Sequence, residues 1–188
     1  MAAERKASPG TLTAQDWLQA GYELLATDGM RALKIERLCA QVGATRGSFY
    51  WHFTDMNGYR SALVASWNNF LDSDRRSLAE MEDLPPRERL SKMMEALVSP
   101  RHWTLERAMR EWARSDDVAA ANVRAADHRV LVAVGKAFLD YGFDPEEARL
   151  RAESTFAAGI GMLHLIDSPA QLSSSDRHER FLDLMLAR

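Results

Sequence analysis

Thr45, Arg46, Ser48, Tyr50 and His52 stand close together in the run from Ile35 to Phe53, and between them they could do chemistry on a nucleic acid. Short hydroxyls and a guanidinium near a helix N-terminus suit base edges in the major groove, and the remaining donors suit the flanking phosphates. Gly47, in the middle of the set, brings no side chain and so lets a helix backbone come close to a duplex. In an exposed helix interior a glycine otherwise costs about 1 kcal/mol against alanine.

Two short helices must position these groups. Ile35, Leu38, Cys39 and Val42 fall at i, i+3, i+4 and i+7 and line one side of a helix, leaving Glu36, Arg37 and Gln41 to water. Gly43 supplies the backbone freedom of a tight turn, after which Ala44 and Thr45 open a second helix from Arg46 to about His52. Phe49 and Phe53, four apart, are its buried side, and the pattern is a helix-turn-helix. A pair of core helices bearing an aromatic stripe would show the same periodicity.

At these residues the chain resembles the TetR family of transcriptional regulators. In that family a long first helix and a glycine lead through an apolar second helix and a tight turn to a segment Gly-x-apolar-Tyr-x-His-Phe. Gly29, Ile35, Leu38, Gly43, Gly47, Phe49, Tyr50, His52 and Phe53 occupy those places, over roughly residues 14 to 60. The resemblance implies that Thr45, Arg46 and Ser48 meet base edges or the groove and that Tyr50 and His52 meet phosphates. Lys34 stands where the family usually has a serine or threonine cap, the loss of which typically costs about 1 kcal/mol. A lysine is ill-placed for the helix dipole there but can reach a phosphate. Met56 sits where many members have lysine and removes one expected backbone contact, and Tyr59 sits where they have leucine.

Charge gives DNA binding little general support. Residues 1–60 hold seven Lys/Arg against six Asp/Glu, and the whole chain carries a net charge of −3. Positioned contacts must therefore supply most of the affinity, aided by an N-terminal arm over residues 1–10 in which Arg5 and Lys6 precede Pro9-Gly10. A solubilising tail fits those residues equally well. With 46% hydrophobic and 27% charged residues the composition is that of a globular protein. No apolar run reaches membrane length and no signal peptide opens the chain, so a cytoplasmic location is expected. The single cysteine, Cys39, lies in an apolar stripe and cannot form a disulfide within the chain.

The whole chain reads as all-α, about nine helices, with a three-helix helix-turn-helix head over residues 11–56 and a helical effector-binding and dimerisation body over 57–188. Thr13 caps a first helix to about Asp28, with Trp17, Ala20, Gly21, Leu24 and Leu25 inward. A fourth helix, about Asn57 to Ser77, joins head to body. Pro86 opens a fifth to about Ser99, where Pro100 is expected to stop it; a sixth runs from Thr104 to about Arg114 and a seventh from Val118 to Tyr141. Asp144 caps the eighth, running to about Asp167, and a ninth follows the 168–175 loop.

Ala152, Phe156, Gly159, Ile160 and Leu163 form a stripe with small residues at its centre, and Phe181, Leu184 and Met185 give the ninth helix an apolar edge. The family pairs these two helices with their symmetry mates, although the stripe would also suit packing inside one subunit. A two-fold dimer sets two recognition helices about 34 to 36 Å apart or somewhat more, on a palindromic operator in double-stranded DNA. Trp67, Met93, Leu97, Trp103, Met109, Trp112, Phe138 and Phe156 are candidates for the wall of a pocket for an unidentified small-molecule effector, or else ordinary core. No cofactor and no metal is expected. A repressor controlled by an effector is the expected function; an interaction module that has lost DNA binding is the alternative. His102, His128, His164 and His178 sit in no recognisable catalytic motif, which argues against an enzyme.

Overall fold

The computed structural model describes residues 12–166, 168–171 and 175–187, and the expected N-terminal arm with Arg5 and Lys6 lies outside them. Every regular element among the described residues is helical. Helix α1 spans Ala14–Asp28. Its Thr13 hydroxyl accepts from the Asp16 amide at 3.3 Å while the Asp16 carboxylate accepts from the Thr13 amide at 2.8 Å, a reciprocal cap that satisfies two otherwise orphaned donors. Those Thr13 hydrogen bonds hold the Asp16 carboxyl below its usual range.

A single 3-10 turn, Met30–Ala32, leads to α2, Ile35–Val42. Lys34 caps α2 without a side-chain hydrogen bond, as its lack of an acceptor dictates. Gly43 ends α2 at φ 68°, in the left-handed region that favours glycine. Helix α3 then covers Arg46–His52, and α4, Met56–Glu80, starts under the Asp55 carboxylate, which accepts from the Gly58 amide at 2.7 Å.

Two tyrosines tie α1 to α4. Tyr22 donates to the Leu63 carbonyl and Tyr59 to the Trp17 carbonyl, each at 2.7 Å, so each buried ring places its one polar atom on the opposite helix. Burial pushes the Tyr59 phenol far above its ordinary range, so it stays a donor. Gly21 makes the approach possible: a Cβ there would lie 2.0 Å from Tyr59 Oη.

The body comprises α5 (Pro86–Leu97), α6 (Pro100–Ala113), α7 (Asp117–Tyr141), α8 (Pro145–Leu165) and α9 (Ser175–Leu186). Contrary to the expectation from sequence, Pro100 does not stop α5 but opens α6, four residues ahead of the expected start at Thr104. Proline lacks the amide that the first turn leaves unpaired in any case, and its fixed φ already suits a helix. Ion pairs link the outer helices: Arg89, nearly buried on α5, reaches Asp140 of α7 at 2.6 Å, and Arg87 reaches Glu179 of α9 at 2.6 Å.

The apolar cores do not divide where the head was expected to end. One core joins Trp17, Leu38 and Phe49 of the head to Leu63 of α4, to Leu105, Ala108, Met109 and Trp112 of α6 and to Ala119 and Val123 of α7. A second, around Leu90, Phe138, Ala152 and Leu182, holds the far half of α7 to α5, α8 and α9. Helix α6 thus belongs by sequence to the body but packs on both sides, along α1 of the head and against α7 of the body. Among the described residues no helix is long and apolar enough to cross a membrane.

Candidate nucleic-acid interface

Helix α3 is only seven residues long and would not persist alone in water, so its direction is set by what grips it from behind. Phe49 is fully buried, edge-on to Trp17 at 5.5 Å between ring centroids, tilted on Phe53 at 5.4 Å and on Tyr59 at 5.6 Å. Phe53 in turn meets Tyr59 edge-on at 4.9 Å. This aromatic nest fixes one side of α3 and turns the other outward.

The candidate residues share that outward side, with Lys34 exposed at the start of α2. Thr45 caps α3, its hydroxyl oxygen accepting from the Ser48 amide at 3.3 Å while its own O–H stays available to a partner. Arg46 is 62% exposed and lies 3.4 Å from Glu36 of α2. Between groups so exposed, such a pair is worth about 0–1 kcal/mol and yields easily to a phosphate or a base. Tyr50 is half exposed; Ser48 and His52 are partly covered. A Cβ on Gly47 would meet only Thr45 Oγ1, at an ordinary 3.7 Å, so the fold itself imposes no glycine there.

One residue of this surface was missed. Trp51 is 80% exposed, the most exposed large apolar side chain described. It follows Phe49 by two and Gly47 by four, so a helical wheel anchored on Phe49 places it outward beside Gly47. That wheel was the available signal, although the sequence reading assigned Trp51 to neither side of the helix.

The body encloses a cavity of about 450 Å³ between the end of α4 and helices α5 to α9. Of the eight expected wall residues, Met93, Leu97 and Phe156 line it. Trp67, Met109 and Trp112 are packed in the first core and Phe138 in the second, and Trp103, though buried, lines a separate, smaller pocket with Ala26 and Thr27 of α1, so these five do not wall this cavity as the sequence led one to expect. Large rings fill space between helices, and periodicity alone does not separate a packed ring from a cavity wall. The wall instead includes Phe70, Met94, Met162 and Phe181, with a polar group from α6 and α7 that the sequence reading did not foresee.

Arg110 donates to both Asp127 oxygens, at 3.0 and 2.6 Å, and to Glu106 at 2.9 Å. Burial works against its charge, but the Asp127 hydrogen bonds and Glu106 outweigh it and keep the guanidinium charged. Burial dominates at Glu106 and raises its carboxyl pKa despite Arg110. Thr155 Oγ1, also lining the cavity, is buried without a hydrogen-bond partner.

The stripe expected to pair two subunits faces inward. Ala152 and Leu163 are buried, Phe156, Gly159, Ile160 and Phe181 line the cavity, and Met185 packs on the second core; Leu184 alone of the set is well exposed. A Cβ at Gly159 would lie 2.9 Å from Leu97 Cδ2, so its smallness serves α5 of the same chain. The opposite side of α8 carries a second stripe at helical spacing. It comprises Leu150 at 61% exposure, Ala157, Gly161 with open space before it, and Leu165 at 79%.

Among the described residues no cluster of three or more His, Cys, Asp or Glu is arranged to hold a metal. A comparison with curated proteins returns no match. Solved structures share the fold over nearly the full length. The ketosteroid transcriptional regulator KstR2 of Mycobacterium tuberculosis is 14% identical, with 97% of each chain covered and a TM-score of 0.67. The TetR family transcriptional regulator PfmR of Thermus thermophilus is 17% identical, covering 95% of this chain and 97% of that one, at 0.65. A protein of Saccharomonospora viridis described as a transcriptional regulator, in complex with choline, is 16% identical, covering 92% and 94%, at 0.62. At such identities the likeness carries the fold, while the sequence of the head carries more: residues 18–59, which contain the helix-turn-helix with Phe49, Phe53 and Tyr59 of the aromatic nest, match the family model described as bacterial regulatory proteins, tetR family. Residues 18–59 thus carry the helix-turn-helix region of the TetR family of bacterial regulatory proteins, on a chain that shares its fold with proteins described as transcriptional regulators.

Proposed function

We propose that this regulator is a homodimeric repressor whose hold on a palindromic operator is modulated by a small molecule in the body cavity. The observation that carries the reading is the double role of α6. His102, Glu106 and Arg110 on one side of it line the cavity, while Leu105, Ala108, Met109 and Trp112 on the other are buried in the core that supports the head. A ligand that favours one position of α6 therefore favours one position of the head, which is the differential interaction that ligand control requires. The choline held by the Saccharomonospora viridis protein supports a small-molecule role for this fold.

In this reading residues 11–56 are the DNA-binding head and 57–188 the regulatory body. Thr45, Arg46, Ser48 and Trp51 meet the groove, Gly47 lets the backbone approach, and Lys34, Tyr50 and His52 meet phosphates. Subunits pair through the outward stripe of α8, Leu150, Ala157, Gly161 and Leu165, together with Leu184 of α9. Selection of bound duplexes from a random pool tests the proposal. An inverted repeat with half-sites about one helical turn apart or somewhat more is the expected consensus. Enrichment of no sequence, or of a single unrepeated half-site, would refute it. Reporter transcription from the selected operator then separates repression from activation.

A further inference from the structure

We infer that the body cavity selects a hydrophobic cation, an apolar molecule ending in a positively charged nitrogen, and discriminates against carboxylates. The inference rests on the reading of this cavity as the effector site and assigns the chemistry of what enters it. Apolar side chains, Phe70, Phe156, Phe181 and several methionines among them, form most of the wall. Such a surface takes an aliphatic or aromatic body of varied shape.

Recognition of charge falls to the polar end. Glu106 and Asp127 approach from α6 and α7, and one cation, Arg110, lies between them. Both terminal nitrogens of that guanidinium are engaged, Nη1 with Asp127 and Nη2 with Asp127 and Glu106, and Arg110 Nε is covered. The cluster thus presents two carboxylates against a single guanidinium, in surroundings where charge is weakly screened. An incoming carboxylate would find the guanidinium's fork occupied and two like charges beside it. An incoming ammonium would meet an excess of negative charge and also relieve Glu106, whose ionised form burial disfavours. The neighbouring titratable groups of the wall are His102, 3.7 Å from Glu106 and edge-on to Phe70, and Arg177 and His178 of α9. Arg177 is exposed, so water screens its charge from the buried end.

Three probes with one tail and different heads isolate the effect: decyltrimethylammonium, 1-decanol and decanoate, each below its micelle concentration. Calorimetric titration into the full chain is made at pH 8, where imidazoles are ordinarily neutral. The expected order is ammonium tightest, with at least a tenfold preference over decanoate, equivalent to about 1.4 kcal/mol. Glu106→Gln and, separately, Asp127→Asn should each cut that preference at least threefold while leaving decanol affinity unchanged. The use of two sites keeps the test meaningful if one variant folds poorly. Decanoate binding as tightly as the ammonium, or a preference that survives both substitutions, overturns the charge assignment and leaves the cavity as an effector site. Absence of binding by all three probes overturns the effector reading itself.

Discussion

The exposed indole of Trp51 allows a direct test of which side of α3 meets DNA. The chain has five tryptophans, and Trp17, Trp67, Trp103 and Trp112 are all at most 4% exposed against 80% for Trp51. A neutral collisional quencher such as acrylamide should therefore reach essentially one emitter in the free protein. Complete burial of a tryptophan covers roughly 150–250 Å², so Trp51 presents about 160 Å² to a partner. If sugar edges and thymine methyls cover half of this, at about 25 cal/mol per Å², the contact is worth ~2 kcal/mol. Trp51→Ala should then weaken operator binding about thirtyfold. As an outward substitution it should change folding stability by less than about 0.5 kcal/mol. In wild type, acrylamide quenching should fall toward that of Trp51→Phe when a matched duplex is added. Unchanged quenching in a saturated complex, with unchanged affinity of the alanine variant, would refute the orientation derived from the aromatic nest.

Four further outcomes follow from the same geometry. Arg46→Ala should weaken operator binding by about 1–3 kcal/mol and relax preference at one base position per half-site, read by competition among single-base variants of the operator; equal loss on every sequence would reassign Arg46 to phosphate. Glu36→Gln removes a carboxylate 3.4 Å from Arg46 and should tighten binding by up to about 1 kcal/mol, most at low salt, so weaker binding would contradict the pairing. Gly21→Ala should lower the denaturation midpoint by an amount equivalent to about 1–3 kcal/mol, because the new methyl collides with Tyr59 Oη, and Tyr59→Phe should be less than additive with it. Glu106 has a raised carboxyl pKa, so its contribution to stability is full below the unfolded value and is lost as pH rises through the folded value. Urea denaturation should accordingly show Glu106→Gln gaining on wild type as pH rises above the ordinary carboxylate range, and a constant difference would contradict burial as the dominant influence.

Much of this arrangement can be read from the linear chain. Thr13 and Asp16, Gly29, Gly43, Thr45, Gly142 and Asp144 act locally, through hydrogen bonds or backbone angles within a few residues, so helix ends coincide with residue types. The buried sides of α1 to α3 are equally legible, because a small head must spend each apolar stripe inward. Pro100 was misread because proline suits both the end of one helix and the start of the next, and the choice depends on where the following helix finds a surface to cover.

The body is different, since its helices are apolar on more than one side and the side that turns inward depends on distant neighbours. On α8 the stripe from Ala152 to Leu163 and the stripe from Leu150 to Leu165 compete as the buried side, and packing of the first against α5, α7 and the cavity leaves the second to solvent. Met109 and Trp112 are ordinary packing because α6 lies along α1, an approach between residues some eighty positions apart that no local pattern encodes. The same approach divides α6 between cavity and head core and sets Glu106, Arg110 and Asp127 together at a buried end. The sequence by itself determined the helices, their caps and the side of α3 held from behind, since those depend on short-range hydrogen bonding and periodicity. Tertiary structure alone decided which apolar surfaces are spent inside the subunit and which charges share a cavity, because both depend on long-range packing among helices that each offer more than one apolar side.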